Sequence, residues 1–580
     1  MTLRKLALAL LLGTSLTATA QADDLDRPRI RHVLLISIDG MHSVDFINCV
    51  TGLPGVNGGM PYCPTLAKLK RSGLDYLDAQ TSRPSDSFPG LMAIVSGGTP
   101  RTVGAFYDVA YDRALQPPAK TTGNGVAGGS CVPNQVPTGT TTEYEEGIDL
   151  DKSRLDGGAD SGIASIDSMR LPRDPAHNCN PIFPWNFVRT NTIFGVAHRA
   201  GLRTAWFDKH PAYAAVSGPG DGTNLDDFYS PEINSPSVNL PGVKTSTGVD
   251  CTKLPDQSAL MAGGDYTTSF ANIQCYDQLK VNGILALIDG LTHDRMKPAR
   301  TPNLFGMNFQ AVSVGQKLIE TTLNLKGGYL DSFGTPSVPL LGEIRYVDSA
   351  IGSMVADLKA RGFYDDTLIV ITAKHGQSPV DSPRYTGITK TGPVTTSPAT
   401  ILDGAGCLPS SESPSNPTGI GPTEDDVSLI WLDASCTTAQ AVKLLETTSP
   451  ASNNIAGIGE IMAGRQLAQL FGAPGLPPQN DPRTPDIVVT PNIGVTYSGS
   501  TKKMAEHGGF AHDDTNVIML LSNPKLPALT IGTPVQTAQV APSILKVLGL
   551  DPDALESVRI EGTEVLPLIG GIFSDRDRDR

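Results

Sequence analysis

The sequence is short of positive charge. It has 45 Lys and Arg against 59 Asp and Glu, which gives a formal net charge of −14 over 580 residues. A protein that coats nucleic acid or binds an anionic membrane surface needs the opposite balance, so we expect neither partner. A local cationic site for a small anionic molecule is still compatible with this composition.

Long apolar runs are also rare. The run from Leu6 to Leu12 follows the basic start M-T-L-R-K and precedes the small-x-small motif A-Q-A that ends at Ala22. It is too short to span a bilayer, and the pattern is typical of a secretory signal peptide over residues 1–22. No other run is long enough to cross a membrane. We therefore expect export to a bacterial periplasm or beyond, without membrane insertion.

The sequence contains no C-x-x-C motif, which disfavours a thiolate zinc site. Its eight cysteines all follow the predicted signal peptide, and an even number in an exported chain indicates disulfides. Sequence alone does not fix their connectivity. Short separations within loop-like segments favour three pairs: Cys49–Cys63, Cys251–Cys275 and Cys407–Cys436.

Glycine and proline are abundant, with 60 and 46 residues. This predicts many ordered loops around a modest amount of regular structure. Segments of this kind are concentrated at about 115–184, 210–300 and 382–425, and we expect insertions there. The last ten residues, 571–580, are mostly charged and form a predicted disordered tail.

Apolar runs that end in polar groups indicate the fold. V-L-L-I-S-I-D starts at Val33 and ends at Asp39, and a second run, T-L-I-V-I-T, is followed closely by Lys374 and His375. Helical patterns separate such runs, which predicts an α/β fold with a mostly parallel sheet and helices on both faces. Because ligands bind at the carboxyl ends of these strands, Asp39 is either a ligand-binding acid or a cap on the next helix.

Ser87 immediately precedes a predicted helix, Phe88 to Val95, with Pro89 in its first turn. The pattern therefore predicts Ser87 at the N-cap, where backbone N–H groups and the helix dipole favour a phosphate. A hydroxyl at that position is either a nucleophile beside a cradled phosphate or an ordinary cap.

Several motifs, in this order, resemble the alkaline phosphatase superfamily and, within it, the type I phosphodiesterase/nucleotide pyrophosphatase family. They are I-S-I-D-G-M at 36–41, S-F-P-G-L-M-A-I-V-S-G-G-T-P at 87–100, Y-V-D-S-A-I-G followed by L-I-V-I-T-A-K-H-G-Q, and E-H-G-G and Q-V-A-P-S-I-L-K-V-L-G-L near the C-terminus. The resemblance runs from about Asp39 to Leu550. It implies an alkaline-phosphatase-like fold, and we predict one catalytic domain over residues 23–570 that carries the three insertions.

This resemblance implies an exported hydrolase that acts on a small phosphorylated substrate, of phosphodiester or nucleotide type. Attack by Ser87 would form a covalent phospho-enzyme, which water then releases. A sulfatase is disfavoured because no C/S-x-P-x-R motif stands at the nucleophile. The alternative is a non-catalytic or metal-poor member of the fold that binds a phosphorylated or other anionic ligand. The oligomeric state does not follow from the sequence.

The resemblance also implies a divalent metal centre, with zinc as the expected metal. Asp39, Ser87, His375 and His507 match family ligands. Three other ligand positions differ, because Lys374 replaces an acid and, by our alignment, Asn308 and Val312 replace an Asp and a His. These differences argue against a full two-zinc site and leave one ion held by the matching residues.

Lys374 is then either a catalytic point charge on a phosphate oxygen or an ion-pair partner of Asp39 that replaces the metal. Asn308 is either a substrate-binding residue or a hydrogen-bond partner of the backbone. Four further residues are reserve ligands or ordinary loop residues: His42, His293, Asp294 and His512.

Overall fold

The computed structural model describes residues 30–121, 128–144, 147–236, 240–388, 396–409, 423–451, 457–498 and 500–572. The predicted signal peptide and residues 573–580 of the predicted tail lie outside the described residues. Among the helices within these ranges, none combines the length and the apolarity needed to cross a bilayer.

The strands within the described ranges are short. In chain order they are β1 His32–Ile38, β2 Gly73–Tyr76, β3 Ala79–Gln80, β4 Val109–Asp112, β5 Thr140–Glu143, β6 Arg173–Asp174, β7 Asn180–Pro181, β8 Thr204–Phe207, β9 Asp227–Tyr229, β10 Leu304–Phe309, β11 Ile319–Glu320, β12 Leu325–Lys326, β13 Thr367–Thr372, β14 Thr386–Gly387, β15 Thr423–Glu424, β16 Ser428–Ile430, β17 Ile458–Ala463, β18 Ile487–Pro491, β19 Val495–Thr496, β20 Asn516–Val517, β21 Leu520–Ser522, β22 Leu529–Ile531 and β23 Val535–Gln536.

The α-helices range from single turns to more than six turns. In chain order they are α1 Ser43–Thr51, α2 Pro64–Lys70, α3 Ser87–Ser96, α4 Pro100–Val103, α5 Pro184–Phe187, α6 Ile193–Arg199, α7 Gln257–Met261, α8 Phe270–Ile288, α9 Ala311–Lys317, α10 Val338–Ala360, α11 Pro398–Gly404, α12 Thr438–Ala451, α13 Gly464–Phe471, α14 His512–Thr515, α15 Val540–Val547, α16 Glu556–Glu561 and α17 Ile569–Ile572.

The central sheet has eight strands in the order β22-β2-β21-β13-β1-β10-β8-β9. β1 is parallel to β10 and β13, and β10 is parallel to β8. Only β21 runs antiparallel to its neighbours among these eight strands. The predicted, mostly parallel α/β sheet is therefore confirmed. Strands β13, β1, β10 and β8 are consecutive and parallel, so their carboxyl ends meet at one edge.

Both faces of this sheet are buried. Leu34 and Ile36 of β1 join a core with residues of α8, α9 and α10, whereas Val33 and Leu35 join a second core with residues of α3, α6 and α15. A strand covered on both sides has no solvent-facing position to fill with polar residues. This is why β1 appears in the sequence as a nearly continuous apolar run.

A second, four-stranded antiparallel sheet lies within residues 423–491, in the order β15-β16-β18-β17. Its two faces bury separate clusters: Leu429 and Val488 pack with Phe106 on one side, and Ile430 packs on the other with Leu402 of α11. This unit begins within the predicted excursion at 382–425 and continues beyond it.

The described chain contains four disulfides, and two of their cysteines lie in helices: Cys49 in α1 and Cys275 in α8. Cys49–Cys63, Cys251–Cys275 and Cys407–Cys436 form as predicted, and Cys131–Cys179 closes the loop-rich segment after β4. Such bonds persist in oxidising compartments, so the four bonds fit an extracellular or secreted protein.

Candidate active site

The carboxyl ends of the four parallel strands carry a group of polar side chains. In sheet order they are Lys374 and His375 after β13, Asp39 after β1, Asn308 and Gln310 at the end of β10, and Asp208 and Lys209 after β8. Ser87 joins them from the N-terminus of α3. The group therefore brings together residues up to 336 positions apart, from Asp39 to His375, because the strands are neighbours in the sheet.

Asp39 lies at the centre of the group and is fully buried. Asn308 Nδ2 donates to its Oδ1 at 2.7 Å, and Gln310 Nε2 donates to its Oδ2 at 2.6 Å. Lys374 Nζ lies 3.4 Å from Oδ2. Burial alone would raise the pKa of Asp39, but the Lys374 ammonium and neighbouring cations hold it well below its usual value. Asp39 is therefore a carboxylate with a donor at each oxygen.

Lys374 is also fully buried and bridges two acids. Its Nζ lies 3.1 Å from Asp208 Oδ1 as well as 3.4 Å from Asp39. The ammonium lies 4.4 Å from the centre of the Tyr213 ring, at a distance typical of a cation–π contact. These contacts fix the ammonium within the site, where it supplies one positive charge.

Ser87 is the first residue of α3 rather than its N-cap. The cap is Asp86, whose carboxylate accepts from the Phe88 N–H at 3.1 Å. The prediction of Ser87 at the N-cap is therefore wrong by one residue. Asp86 takes that position instead, because aspartate is as good a cap as serine. The Ser87 hydroxyl is consequently free of the capping role and points into the polar group.

Two side chains contact the Ser87 hydroxyl. Lys209 Nζ donates to Oγ at 3.1 Å, and His375 Nε2 lies 3.1 Å from the same oxygen. The first contact favours negative charge on Oγ. The second gives the Oγ proton an acceptor, provided that Nε2 carries a lone pair.

The tautomer of His375 follows from its other nitrogen. Nδ1 lies 2.7 Å from the carbonyl oxygen of Gly376, which can only accept, so Nδ1 carries the proton. Burial lowers the pKa of His375 despite the nearby Asp39, which favours the neutral ring. In that form Nε2 is an acceptor for Ser87 and matches the requirement for a general base.

His507 forms the outer side of the group. Its ring centre lies 3.9 Å from that of His375, and 13% of its side-chain surface is exposed, whereas Ser87 is fully buried. Burial and the neighbouring His375 lower the pKa of His507 to about 3, so it is neutral at pH 7. The gradient of exposure indicates that the site opens to solvent past His507.

One Asp/Glu/His group in the described residues is compact enough to hold an ion. Single ligand atoms of Asp425, Glu506 and His507 lie within 4.8 Å of one another. The two carboxylates, however, already have partners: Lys503 pairs with Glu506, and Tyr107 donates to Asp425 at 3.3 Å. An ion here would have to displace these contacts.

The site at Asp39 does not fit two metal ions. An ammonium and two amide groups surround the Asp39 carboxylate, and each presents N–H donors to it, whereas a metal ion needs oxygen or nitrogen lone pairs. Val312 is fully buried in the apolar core and offers no ligand atom. The donor set of this edge is therefore that of an ion-paired centre.

In the described part of the chain, the four reserve candidates make their side-chain contacts with residues other than Ser87. His42 is buried against Asp45 and Tyr329. His293 pairs with Asp227 Oδ1 at 2.6 Å. Asp294 Oδ1 accepts a hydrogen bond from Thr292 Oγ1, two residues away, at 2.5 Å. His512 is exposed on α14. The contacts of His42, His293 and Asp294 fit ordinary structural roles, and all four residues stay reserve candidates.

Three residues of the group were not singled out from the sequence: Asp208, Lys209 and Gln310. Asp208 and Lys209 directly follow the correctly predicted strand β8, and Gln310 directly follows β10. The rule that drew attention to Asp39, a polar group at the carboxyl end of an apolar strand, applies equally to them. That signal was present in the sequence.

Comparisons with known proteins identify a family and a similar fold. A family model for type I phosphodiesterase/nucleotide pyrophosphatase matches residues 33–512. Among solved structures, the fold is similar to that of murine ectonucleotide pyrophosphatase/phosphodiesterase 5, an inactive variant in complex with AMP (12% identity, TM-score 0.50, 90% of this chain and 96% of that chain). The human protein of the same name also matches (12% identity, TM-score 0.48, 90% and 95%). No curated protein matches the sequence.

Proposed function

The chain belongs to the type I phosphodiesterase/nucleotide pyrophosphatase family, and from this premise we propose that it hydrolyses a phosphate ester through attack by Ser87. The observation that carries the proposal is the position of Ser87 Oγ, 3.1 Å from both His375 Nε2 and Lys209 Nζ at the start of α3. A buried serine with a neutral histidine and a cation on one oxygen is suited to nucleophilic attack.

The reaction follows from these contacts. Ser87 Oγ forms a bond to phosphorus as its proton passes to His375 Nε2, and the bond to the ester oxygen breaks. The leaving oxygen departs on the opposite side of phosphorus and takes a proton from water. The hydroxide so formed attacks the phosphoserine from that side, and the imidazolium returns its proton to Ser87 Oγ as the bond between Oγ and phosphorus breaks.

The surroundings stabilise the charge that builds up on the phosphoryl oxygens. The Lys209 ammonium lies at Oγ, and the first N–H groups of α3 lie beside it with the positive end of the helix dipole. These are fixed, desolvated donors, which act more strongly than they would in water.

We further propose that the substrate is a small phosphorylated molecule, of nucleotide type, and that the protein acts outside the cytosol. AMP bound to the murine relative supports the first point. The four disulfides support the second.

Hydrolysis of bis(p-nitrophenyl) phosphate by the oxidised full chain tests the proposal. Ser87→Ala should lower kcat by on the order of 10³-fold or more, because it removes the nucleophile. Ser96→Ala is the matched control: Ser96 is also buried, at the other end of α3, and its Oγ accepts only a local bond from Gly98 N at 3.2 Å. Equal activity in the wild type and Ser87→Ala would contradict the proposal.

A second candidate is a binding protein of the same fold without turnover. The observation that favours it is that the fully buried Asp39 carboxylate already has Lys374, Asn308 and Gln310 as partners, so both its oxygens are occupied. In that case AMP would bind the wild type with no hydrolysis of any phosphodiester. Calorimetric titration with AMP, run beside the hydrolysis assay, separates the two functions.

A further inference from the structure

Two of the protein's own cations contact the residues that match metal ligands. Lys374 stands after β13, where the resemblance predicts an acidic ligand, and its ammonium lies 3.4 Å from Asp39 Oδ2. Lys209 reaches Ser87 Oγ from the end of the neighbouring strand β8, at 3.1 Å. Two unit charges thus lie beside the Asp39 carboxylate and the Ser87 hydroxyl.

The two positions where the resemblance implies a further Asp and His ligand, 308 and 312, also lack such ligands. Asn308 donates to Asp39 rather than offering a carboxylate, and Gln310 donates to both Asp39 and Asn308. Val312 faces the apolar core. The amides and the lysine satisfy one another around Asp39, and each of these side chains is at least nine-tenths buried.

We propose that the ammonium groups of Lys374 and Lys209 replace the metal ions of this centre, so that the chemistry at Ser87 proceeds without a divalent cation. The proposal rests on the hydrolysis proposed above. In this arrangement Lys209 neutralises charge on the attacking oxygen, and Lys374 holds Asp39 and Asp208 in place while it contributes positive potential. A lysine cation is fixed covalently, so chelators cannot remove it.

Metal content tests the inference independently of turnover. The purified oxidised chain, after exposure to zinc and desalting, should contain less than one equivalent of zinc, and added zinc should leave its Tm unchanged. Hydrolysis of bis(p-nitrophenyl) phosphate should be the same with and without EDTA. Retention of one or more zinc ions per chain, or loss of hydrolysis in EDTA that zinc restores, would overturn the proposal.

A variant that restores the family's acidic residues provides the matched comparison for zinc binding. The double variant Lys374→Asp, Asn308→Asp should bind zinc and gain Tm in its presence, because it adds two carboxylate ligands beside Asp39. If this variant does not fold, the wild-type measurements still decide the matter. Wild-type protein that binds zinc as well as the double variant would contradict the replacement of the ions by lysines.

Lys209→Met tests the role of the second cation. It removes the ammonium at Oγ and should lower kcat by on the order of 10²-fold, with the zinc content unchanged. An unchanged kcat would refute the role of Lys209. Metal-free wild type without any turnover dependent on Ser87 would contradict the proposed hydrolysis instead, because the zinc content is read separately.

Discussion

Removal of the Lys374 ammonium is the most informative perturbation of this centre. In Lys374→Met the apolar stem is kept, but the charge that lies 3.4 Å from Asp39 and 3.1 Å from Asp208 is lost. All three side chains are fully buried, so water cannot replace the ammonium. Two carboxylates are then left in the protein interior without their shared cation.

The size of the effect follows from the cost of breaking a buried ion pair, about 3–5 kcal/mol. Asn308 and Gln310 still donate to Asp39 in the variant, and Trp206 Nε1 still donates to Asp208 at 2.9 Å. These donors favour the lower end of the range. We expect the free energy of unfolding to fall by about 3 kcal/mol, a large part of the stability of an ordinary domain.

Urea unfolding at pH 7, with the disulfides intact, measures this loss as a shift in midpoint at constant m-value. Lys443→Met is the control, because Lys443 is exposed on α12 and its removal should change stability by less than about 0.5 kcal/mol. A loss in Lys374→Met no larger than in this control would refute the pairing of Lys374 with buried carboxylates.

The pH dependence gives a second check. In the wild type the pKa of Asp39 lies well below its unfolded value, so its contribution is present above the unfolded pKa and is lost as pH falls through the folded one. Without Lys374, burial dominates and raises the pKa of Asp39, so the variant gains a proton as pH falls. The deficit should therefore shrink from pH 7 towards pH 4. A deficit that grows over this range would contradict the assignment.

Two further predictions concern the support of the site. Burial alone would lower the pKa of His42, but the Asp45 carboxylate beside it raises the pKa to about 9. The stability that this ion pair contributes is complete below pH 6.5, and the free energy of unfolding measured in urea should fall by about 3 kcal/mol from pH 6.5 to 9. His42→Gln should remove most of this pH dependence, and an unchanged pH dependence would contradict the pairing of His42 with Asp45. A Cβ on Gly90 would lie 2.1 Å from the Lys374 carbonyl oxygen, so Gly90→Ala should cost about 1–3 kcal/mol and reduce hydrolysis. Gly342→Ala, in open space on α10, should raise the melting temperature slightly; equal effects of the two substitutions would refute the close approach.

Much of the fold could be predicted from the sequence because its signals are local. The apolar run of β1 is a single continuous segment, and the glycine after α6 lies within a few residues of the strand β8 that follows it. The mostly parallel sheet followed from the alternation of helices with buried strands. Boundaries were less secure: the predicted strand from Val517 to Leu521 is two short strands, β20 and β21, which belong to different sheets.

The candidate site was only partly predictable. The motifs identified Asp39, Ser87, Lys374, His375 and His507, and the structure brings these five residues together at one edge. Sequence reasoning left open whether Lys374 is paired with Asp39 or contacts the substrate. It also did not single out Lys209, whose contact with Ser87 joins residues 122 positions apart.

The sequence by itself determined which segments form buried strands, and that a serine, a histidine and an acid follow the family's motifs. It favoured three of the four cysteine pairs but did not fix their connectivity. Only the tertiary structure decided that Asp39 is held by an ammonium and two amides, and that a second lysine reaches Ser87. The reason is physical: a strand's apolar pattern depends on its own residues, whereas the distance between side chains on different strands depends on sheet order and register. Because β13, β1, β10 and β8 are neighbours and parallel, the acid at the end of β1 lies beside cations and amides from the other three strands and forms an ion-paired centre with them.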